Sequence, residues 1–113
     1  MRKDLNQRRG KEVAQGSHAS MAFLSRRVAS GEPLTDVQRE WLASSFRKIC
    51  VRVNSEQELL DTAAKAGELG VECHVITDSG LTEFHNVPTK TCLALGPDTD
   101  ERLAPLTDHL QLY

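Results

Sequence analysis

Two periodicities organise the chain. From Arg9 to about Ser30, apolar and polar positions recur at the helical spacing. Lys11, Gln15, His18 and Ala22 fall on one stripe, and Val13, Ser17, Met21, Leu24 and Val28 on another. A helix so patterned is expected to bury the second, mostly apolar stripe and to leave the polar one free. Small residues around the polar stripe (Ala14, Gly16, Ala19) let another segment or a ligand come close. Ser30-Gly31-Glu32-Pro33 stops this helix. Thr35, with Gln38 three residues on, is a capping box for a second helix whose buried face is Val37, Trp41, Leu42 and Phe46. Trp41 reads as a core anchor rather than a platform on which a base would stack.

The second periodicity is that of strands. Met1 to Leu5 reads as a short, polar strand end, and Lys48 to Val53 as a strand with partial alternation. Ser55 and Glu58 form another capping box, opening a third helix through Leu59, Leu60, Ala63 and Ala64 that Gly67 and Gly70 close. Val71 to Thr77 is the next strand, ending in the turn Asp78-Ser79-Gly80. Thr82 to Pro88 is a loop, and Thr91 to Leu95 a further strand. Gly96-Pro97 breaks it, and Asp98 or Thr99 caps a last helix around Leu103 and Leu106. The order β-α-α-β-α-β-β-α predicts one α/β domain over residues 1–113. The expected architecture is three α/β/α layers around a mixed, mainly parallel four-stranded sheet that finishes in an antiparallel hairpin. In such sheets functional residues gather where loops leave the strand ends, and Gly10 and Asp78 both lie in loops of that kind.

Composition narrows the function. The chain has 113 residues, 39% apolar and 27% charged, as a soluble globular protein does. No apolar run approaches the roughly 18 residues of a membrane span, and no signal-peptide pattern opens the chain. Cys50, Cys73 and Cys92 are odd in number and form no C-x-x-C pair, which supports neither a disulfide framework nor a zinc site. A reducing cytoplasm fits such cysteine usage. The net charge is −2, yet Arg2, Lys3, Arg8, Arg9 and Lys11 face only Asp4 within the opening segment. A basic run beside the Gly10 turn of a mildly acidic protein suggests a local anion site rather than general coating of nucleic acid.

Three blocks carry a resemblance to a known family. Arg2-Lys3-Asp4-Leu5, continuing to Gly10-Lys11-Glu12-Val13-Ala14-Gln15-Gly16-Ser17-His18-Ala19, is similar to R-x-D-L…G-K-x-x-A-Q-x-x-H-A. Asp78-Ser79-Gly80-Leu81-Thr82 is similar to D-A-G-x-T, with Ser79 in place of Ala. Thr91-Cys92-Leu93-Ala94-Leu95-Gly96-Pro97 is similar to T-x-x-A-I-G-P and is followed by a His109-Leu110 tail. In order and spacing the chain resembles the archaeal- and eukaryotic-type peptidyl-tRNA hydrolases, as a bacterial-like member. It departs from them in starting almost at the Arg2 block, which leaves little chain for a first strand. The segment between Thr82 and Thr91 is also one residue longer. The resemblance implies a cytoplasmic carboxylic ester hydrolase that frees tRNA from a stalled peptide, with no metal and no organic cofactor. Its partner would be the acceptor end of peptidyl-tRNA, with no membrane involved and a homodimer left open. It brings forward Lys11, Gln15, His18, Asp78, Thr82 and Thr91 as catalytic candidates.

Ester hydrolysis needs an activated water and support for an oxyanion. Histidine is the residue type suited to proton transfer near neutral pH, which makes His18 the candidate base, and Asp78 is expected to meet and orient it. Gln15 or Lys11 would donate to the oxyanion, while Thr82 and Thr91 would hold water or ribose hydroxyls. Arg8, Arg9 and Lys11, at a helix N-terminus, are the expected tRNA phosphate contacts. An acyl-enzyme through Ser17 or Cys92 is disfavoured because no G-x-S-x-G elbow is present. His74, His85 and His109 read as structural or surface residues, with no ligand-spaced partner. The alternatives are a non-catalytic tRNA- or protein-binding module of the same fold and an interaction protein acting through the Trp41 helix.

Overall fold

The structure, a computed structural model, describes all 113 residues. Its elements are α1 (Arg9–Ser30), α2 (Asp36–Ala43), α3 (Glu56–Glu68), β1 (Cys73–Asp78), β2 (Thr89–Leu95) and α4 (Asp100–Thr107). The helix starts follow from their caps. The Thr35 hydroxyl accepts from Gln38 N while the Gln38 side chain accepts from Thr35 N, and Ser55 and Thr99 accept from the N–H three residues on. Gly31 ends α1 in the left-handed region at φ 76°, where its N–H returns to Arg27 O. No helix is long and apolar enough to cross a membrane.

The sheet differs from the expected one. It has two strands, β1 and β2, paired antiparallel, and not four mainly parallel strands. The other two expected strands survive only as isolated bridges: Arg2 beside Val53, and Val51 beside Leu112. The reason is length. Met1 to Lys3 supplies a few main-chain bonds (Arg2 N to Thr91 O at 3.0 Å, Lys3 N to Val53 O at 2.8 Å), and then a turn at Asp4-Leu5 carries the chain away. One bridge on each side does not make a ladder. What remains is an α/β arrangement in which α1 and α3 pack on the β1–β2 hairpin and α4 packs on α3. The core under α3 and α4 is Ala66, Val71 and Leu106, with Cys73, Leu95 and Leu103 against it.

The second correction concerns α1, which turns its other side to the hairpin. Val13, Met21 and Val28 are 65, 53 and 77% exposed, while Gln15, Ala19, Ala22 and Phe23 are buried. Ala19 and Ala22 allow a close approach, and the polar group brought inward with them is hydrogen-bonded, so its burial is tolerated. Periodicity ranks faces by apolarity and is blind to such partners. At the far end of α1 the same logic recurs. The Glu72 carboxylate accepts from Arg27 Nη2 (2.7 Å) and Gln38 Nε2 (2.8 Å) and pairs with His74 Nε2 (2.7 Å), tying α1, α2 and the start of β1 together. Trp41 packs edge-on against Phe23 with ring centroids 6.0 Å apart and donates its indole N–H to Arg47 O at 2.8 Å.

Gln7, just before α1, is buried with neither amide atom bonded to the protein. An unpaired buried amide costs about 1–3 kcal/mol. Gln7→Met keeps the shape without the polar atoms and is expected to stabilise the fold by about 1 kcal/mol, raising the thermal midpoint by several degrees. A lower midpoint in the same melt would mean that the amide is bonded through water.

Candidate active site

Three segments converge where α1 begins: its first two turns, the last residue of β1, and the loop from Ser79 to Pro88. Asp78 closes β1 with its carboxylate toward α1. Lys11 Nζ donates to Asp78 Oδ1 at 2.7 Å and to Thr82 Oγ1 at 3.0 Å, and Gln15 Nε2 donates to Asp78 Oδ1 at 3.1 Å. The second carboxylate oxygen, Oδ2, accepts from Gly80 N at 2.9 Å. Glycine is required there. Its φ is +83°, and a Cβ would lie 2.1 Å from Val87 O, so any side chain would push the loop off the site.

A β-bulge supplies the remaining member. Ile76 pairs with Cys92 but Thr77 pairs with Lys90, so Thr91 is an extra residue in β2. Bulges re-aim side chains, and here two sequence neighbours both reach α1. The Thr91 hydroxyl donates to Gln15 Oε1 at 2.5 Å, and Cys92 Sγ lies 3.4 Å from Gln15 O. Thr91 and Gln15 are both buried, the latter 2% exposed. With its oxygen on the Thr91 hydroxyl, the Gln15 amide must turn its NH₂ to Asp78, an acceptor-only group when ionised. The result is one hydrogen-bonded chain: Thr82, Lys11, Asp78, Gln15, Thr91.

The Lys11 ammonium holds the Asp78 carboxyl below its ordinary range, helped by the Gly80 N–H and the Gln15 amide against the opposing effect of burial. Asp78 is therefore ionised at neutral pH.

Five of the six catalytic candidates are thus brought together; His18 is not in the chain of bonds. It is exposed, and the Asp78 carboxylate bonds to Lys11, Gln15 and Gly80 instead. The expected Asp78–His18 meeting is replaced by an Asp78–Lys11 ion pair. Lys11 lies in the turn beside the strand end, whereas His18 is about 10 Å further along the helix axis at 1.5 Å per residue. His18 still follows Gln15 on the same helical stripe.

The basic run is largely neutralised. Arg2 pairs with Asp4 at 2.7 Å and Glu56 at 3.2 Å, the Lys3 ammonium sits 4.5 Å from the Tyr113 ring centroid, and Arg8 Nε donates to Glu83 Oε1 at 2.6 Å. Arg9 is exposed and stands outside these pairs. Glu83 is a neighbour of the site that sequence reasoning did not single out, and Cys92, disfavoured there as a nucleophile, lies against the Gln15 main chain. The one available signal was an acidic residue directly after Thr82. Two grooves, of about 270 and 420 Å³, lie elsewhere, against Glu58, His109 and Leu110. None of the five bonded residues lines either groove.

An ion-paired lysine, a fixed amide and two hydroxyls are thus gathered where α1 begins. Comparison with known proteins shows the family. The family model described as "Peptidyl-tRNA hydrolase PTH2" matches residues 1–113. The chain is 40% identical over 113 residues to a peptidyl-tRNA hydrolase of Methanocaldococcus jannaschii, covering 99% of this chain and 94% of that one. It is 38% identical over 105 residues to that of Nanoarchaeum equitans (93% and 88% covered) and 35% over 112 to that of Haloquadratum walsbyi (99% and 94%). The chain belongs to the peptidyl-tRNA hydrolase PTH2 family, a family of hydrolases. These three relatives are archaeal, and nothing in them supports a bacterial-like placement.

Two outcomes are expected. Because the folded pKa of Asp78 lies below its unfolded value of about 3.9, its contribution to stability is complete above that value and is lost as pH falls through the folded pKa. The midpoint difference between the wild type and Asp78→Asn should stay constant from pH 8 to 5 and shrink below about pH 4. A difference that stays constant to pH 2 would mean that the ion pair contributes nothing. Thr91→Val, which leaves buried Gln15 Oε1 without a donor, should cost about 1–3 kcal/mol in a denaturant melt and lower turnover, whereas Thr91→Ser should retain both. Equal behaviour of the two variants would remove the hydroxyl from the account.

Proposed function

We propose that the protein hydrolyses the ester joining a peptide to the terminal ribose of tRNA, that residues 1–113 act as one domain, and that the reaction runs in the cytoplasm at the Lys11–Asp78 cluster. The observation that carries this reading is the bonded chain Thr82–Lys11–Asp78–Gln15–Thr91 in a member of a peptidyl-tRNA hydrolase family. An ammonium has three N–H groups, and Asp78 and Thr82 take two of those on Lys11. The third is free for the oxyanion that forms when water adds to the ester carbonyl. Asp78 holds that ammonium in place. Being strongly ionised, it is itself a poor base. His18, next along the stripe after Gln15 and exposed to solvent, accepts the proton of the attacking water and returns it to the departing ribose oxygen. The ester C–O bond breaks, leaving free tRNA and a peptide carboxylate. Arg9, with Arg8, meets phosphates of the acceptor end.

The test is release of labelled acyl-amino acid from N-acylated aminoacyl-tRNA by the purified chain. Lys11→Met should lower kcat by about 10²–10³-fold, as loss of one oxyanion donor does. His18→Ala should lower it by about 10²-fold. Full activity of His18→Ala would pass the base role to another group. A folded wild type that binds tRNA without turnover would leave the non-catalytic binding module in place.

A further inference from the structure

Among the cations at the start of the chain and of α1, Arg8 is held in a way the others are not. Arg2 is itself buried against the more exposed Asp4 and Glu56, and Lys11 is mostly covered beside Asp78. The Arg8 side chain is 79% exposed, while the Glu83 side chain that grips it is only 12% exposed. One Glu83 oxygen accepts from Arg8 Nε at 2.6 Å and the other from the Arg8 main-chain N–H at 3.3 Å. A carboxylate bridging a guanidinium and an amide N–H satisfies the same donors that two phosphate oxygens would satisfy. Beside this pair stands exposed Arg9, and the substrate class read above is a polyanion.

We infer that Glu83 is an internal counter-anion that occupies Arg8 in the free protein and is displaced by a phosphate of the tRNA, so that this residue sets substrate affinity without touching the chemical step. The inference rests on the function proposed above. The loop that carries Glu83 is braced independently of it. Phe84 N and Asn86 N both bond to Gly80 O (3.2 and 3.0 Å), Val87 N bonds to Phe84 O (2.8 Å), and His85 and Asn86 take left-handed φ values of 52° and 63°. Thr82 stays on Lys11, and the Phe84 ring lies 6.0 Å from the Lys11 ammonium. The Glu83 side chain can therefore leave Arg8 while the loop keeps its turn and the catalytic cluster its bonds. Arg8 holds the Glu83 carboxyl below its ordinary range, so the counter-charge is present at neutral pH. While it is there, a phosphate can reach the outer guanidinium nitrogens of Arg8 but must exchange with Glu83 to take Nε and the main-chain N–H.

The experiment uses the whole chain with Glu83→Gln. It measures binding of deacylated tRNA, and KM and kcat on N-acylated aminoacyl-tRNA, at two salt concentrations. At low salt, Kd and KM should both fall roughly three- to tenfold, and the slope of log affinity against log salt should steepen by about 0.7–0.9, the value of one recovered phosphate contact. The kcat should stay within about twofold, as for a change in uniform binding. Arg8→Ala should abolish the gain. Glu83→Asp, whose shorter arm cannot hold both donors, should give a smaller gain in the same direction. Unchanged or weaker tRNA binding, or a gain that persists with Arg8→Ala, overturns the inference. So does a loss of thermal midpoint in both Glu83 variants without tighter binding, because Glu83 would then be a structural tie only. Tighter tRNA binding by Glu83→Gln in a chain that hydrolyses no ester would strike the proposed function and leave the counter-anion standing.

Discussion

A helix can press a polar side against a β-hairpin only if each polar group it buries finds a partner, and the Gln15 amide is where α1 meets that condition. Its oxygen rests on Thr91 and its nitrogen on Asp78, and both atoms are out of water. A buried amide left open would cost more than a surface ion pair returns, so these two bonds decide which face of α1 goes inward. Once that face is inward, Lys11, one turn earlier, is delivered to the Asp78 carboxylate, and the loop after β1 closes over it. The position of the helix and the electrostatics of the site are therefore one arrangement.

The opposite end of α1 is secured by the same kind of device. Arg27 and the capping residue Gln38 converge on Glu72, so the side chain that starts α2 also fixes where α1 lies on β1. Breaking a partly buried charge cluster by removing one member leaves the others uncompensated. The long helix is thus pinned at both ends by polar clusters, with Ala19, Ala22 and Phe23 making the apolar contact between them. This is an economical way for a chain with a small apolar core to hold a helix of 22 residues in register.

Features that depend on neighbours in sequence were legible before the structure. The Thr35–Gln38 box, the Ser55 and Thr99 caps, the Gly31 stop and the strand leading to Asp78 all fall where local chemistry puts them. The five residues that the structure joins by hydrogen bonds lay in the three motif blocks, where glycine, lysine, glutamine, aspartate and threonine at those spacings form a specific pattern. What failed needed knowledge of partners across the fold. The apolar stripe Val13–Met21–Val28 looked like the inner face because no pattern shows that Gln15 has two acceptable neighbours. Asp78 was assigned to His18 by analogy with hydrolase triads, whereas Lys11, nearer along the helix, takes it. The four-stranded sheet failed because alternation in Lys48 to Val53 says nothing about whether Met1 to Lys3 can pair along its length. The basic run suggested an open anion site because its counter-ions Glu56 and Glu83 are far away in sequence.

The extra residue at Thr91 makes strand length itself part of the chemistry. Residues before the bulge and after it are offset by one place in their pairing with β1, so shortening β2 by a single residue there would merge the two registers. Thr91 or Cys92 would then face away from α1, and Gln15 would lose a neighbour. The loop between Leu81 and Pro88 lies outside the ladder, and its length is held instead by the bonds of Phe84 N and Asn86 N to Gly80 O. Two neighbouring stretches of the same hairpin thus have their lengths fixed by different means, pairing in one and a closed turn in the other. In the strand the count of residues is as much a functional property as their identity.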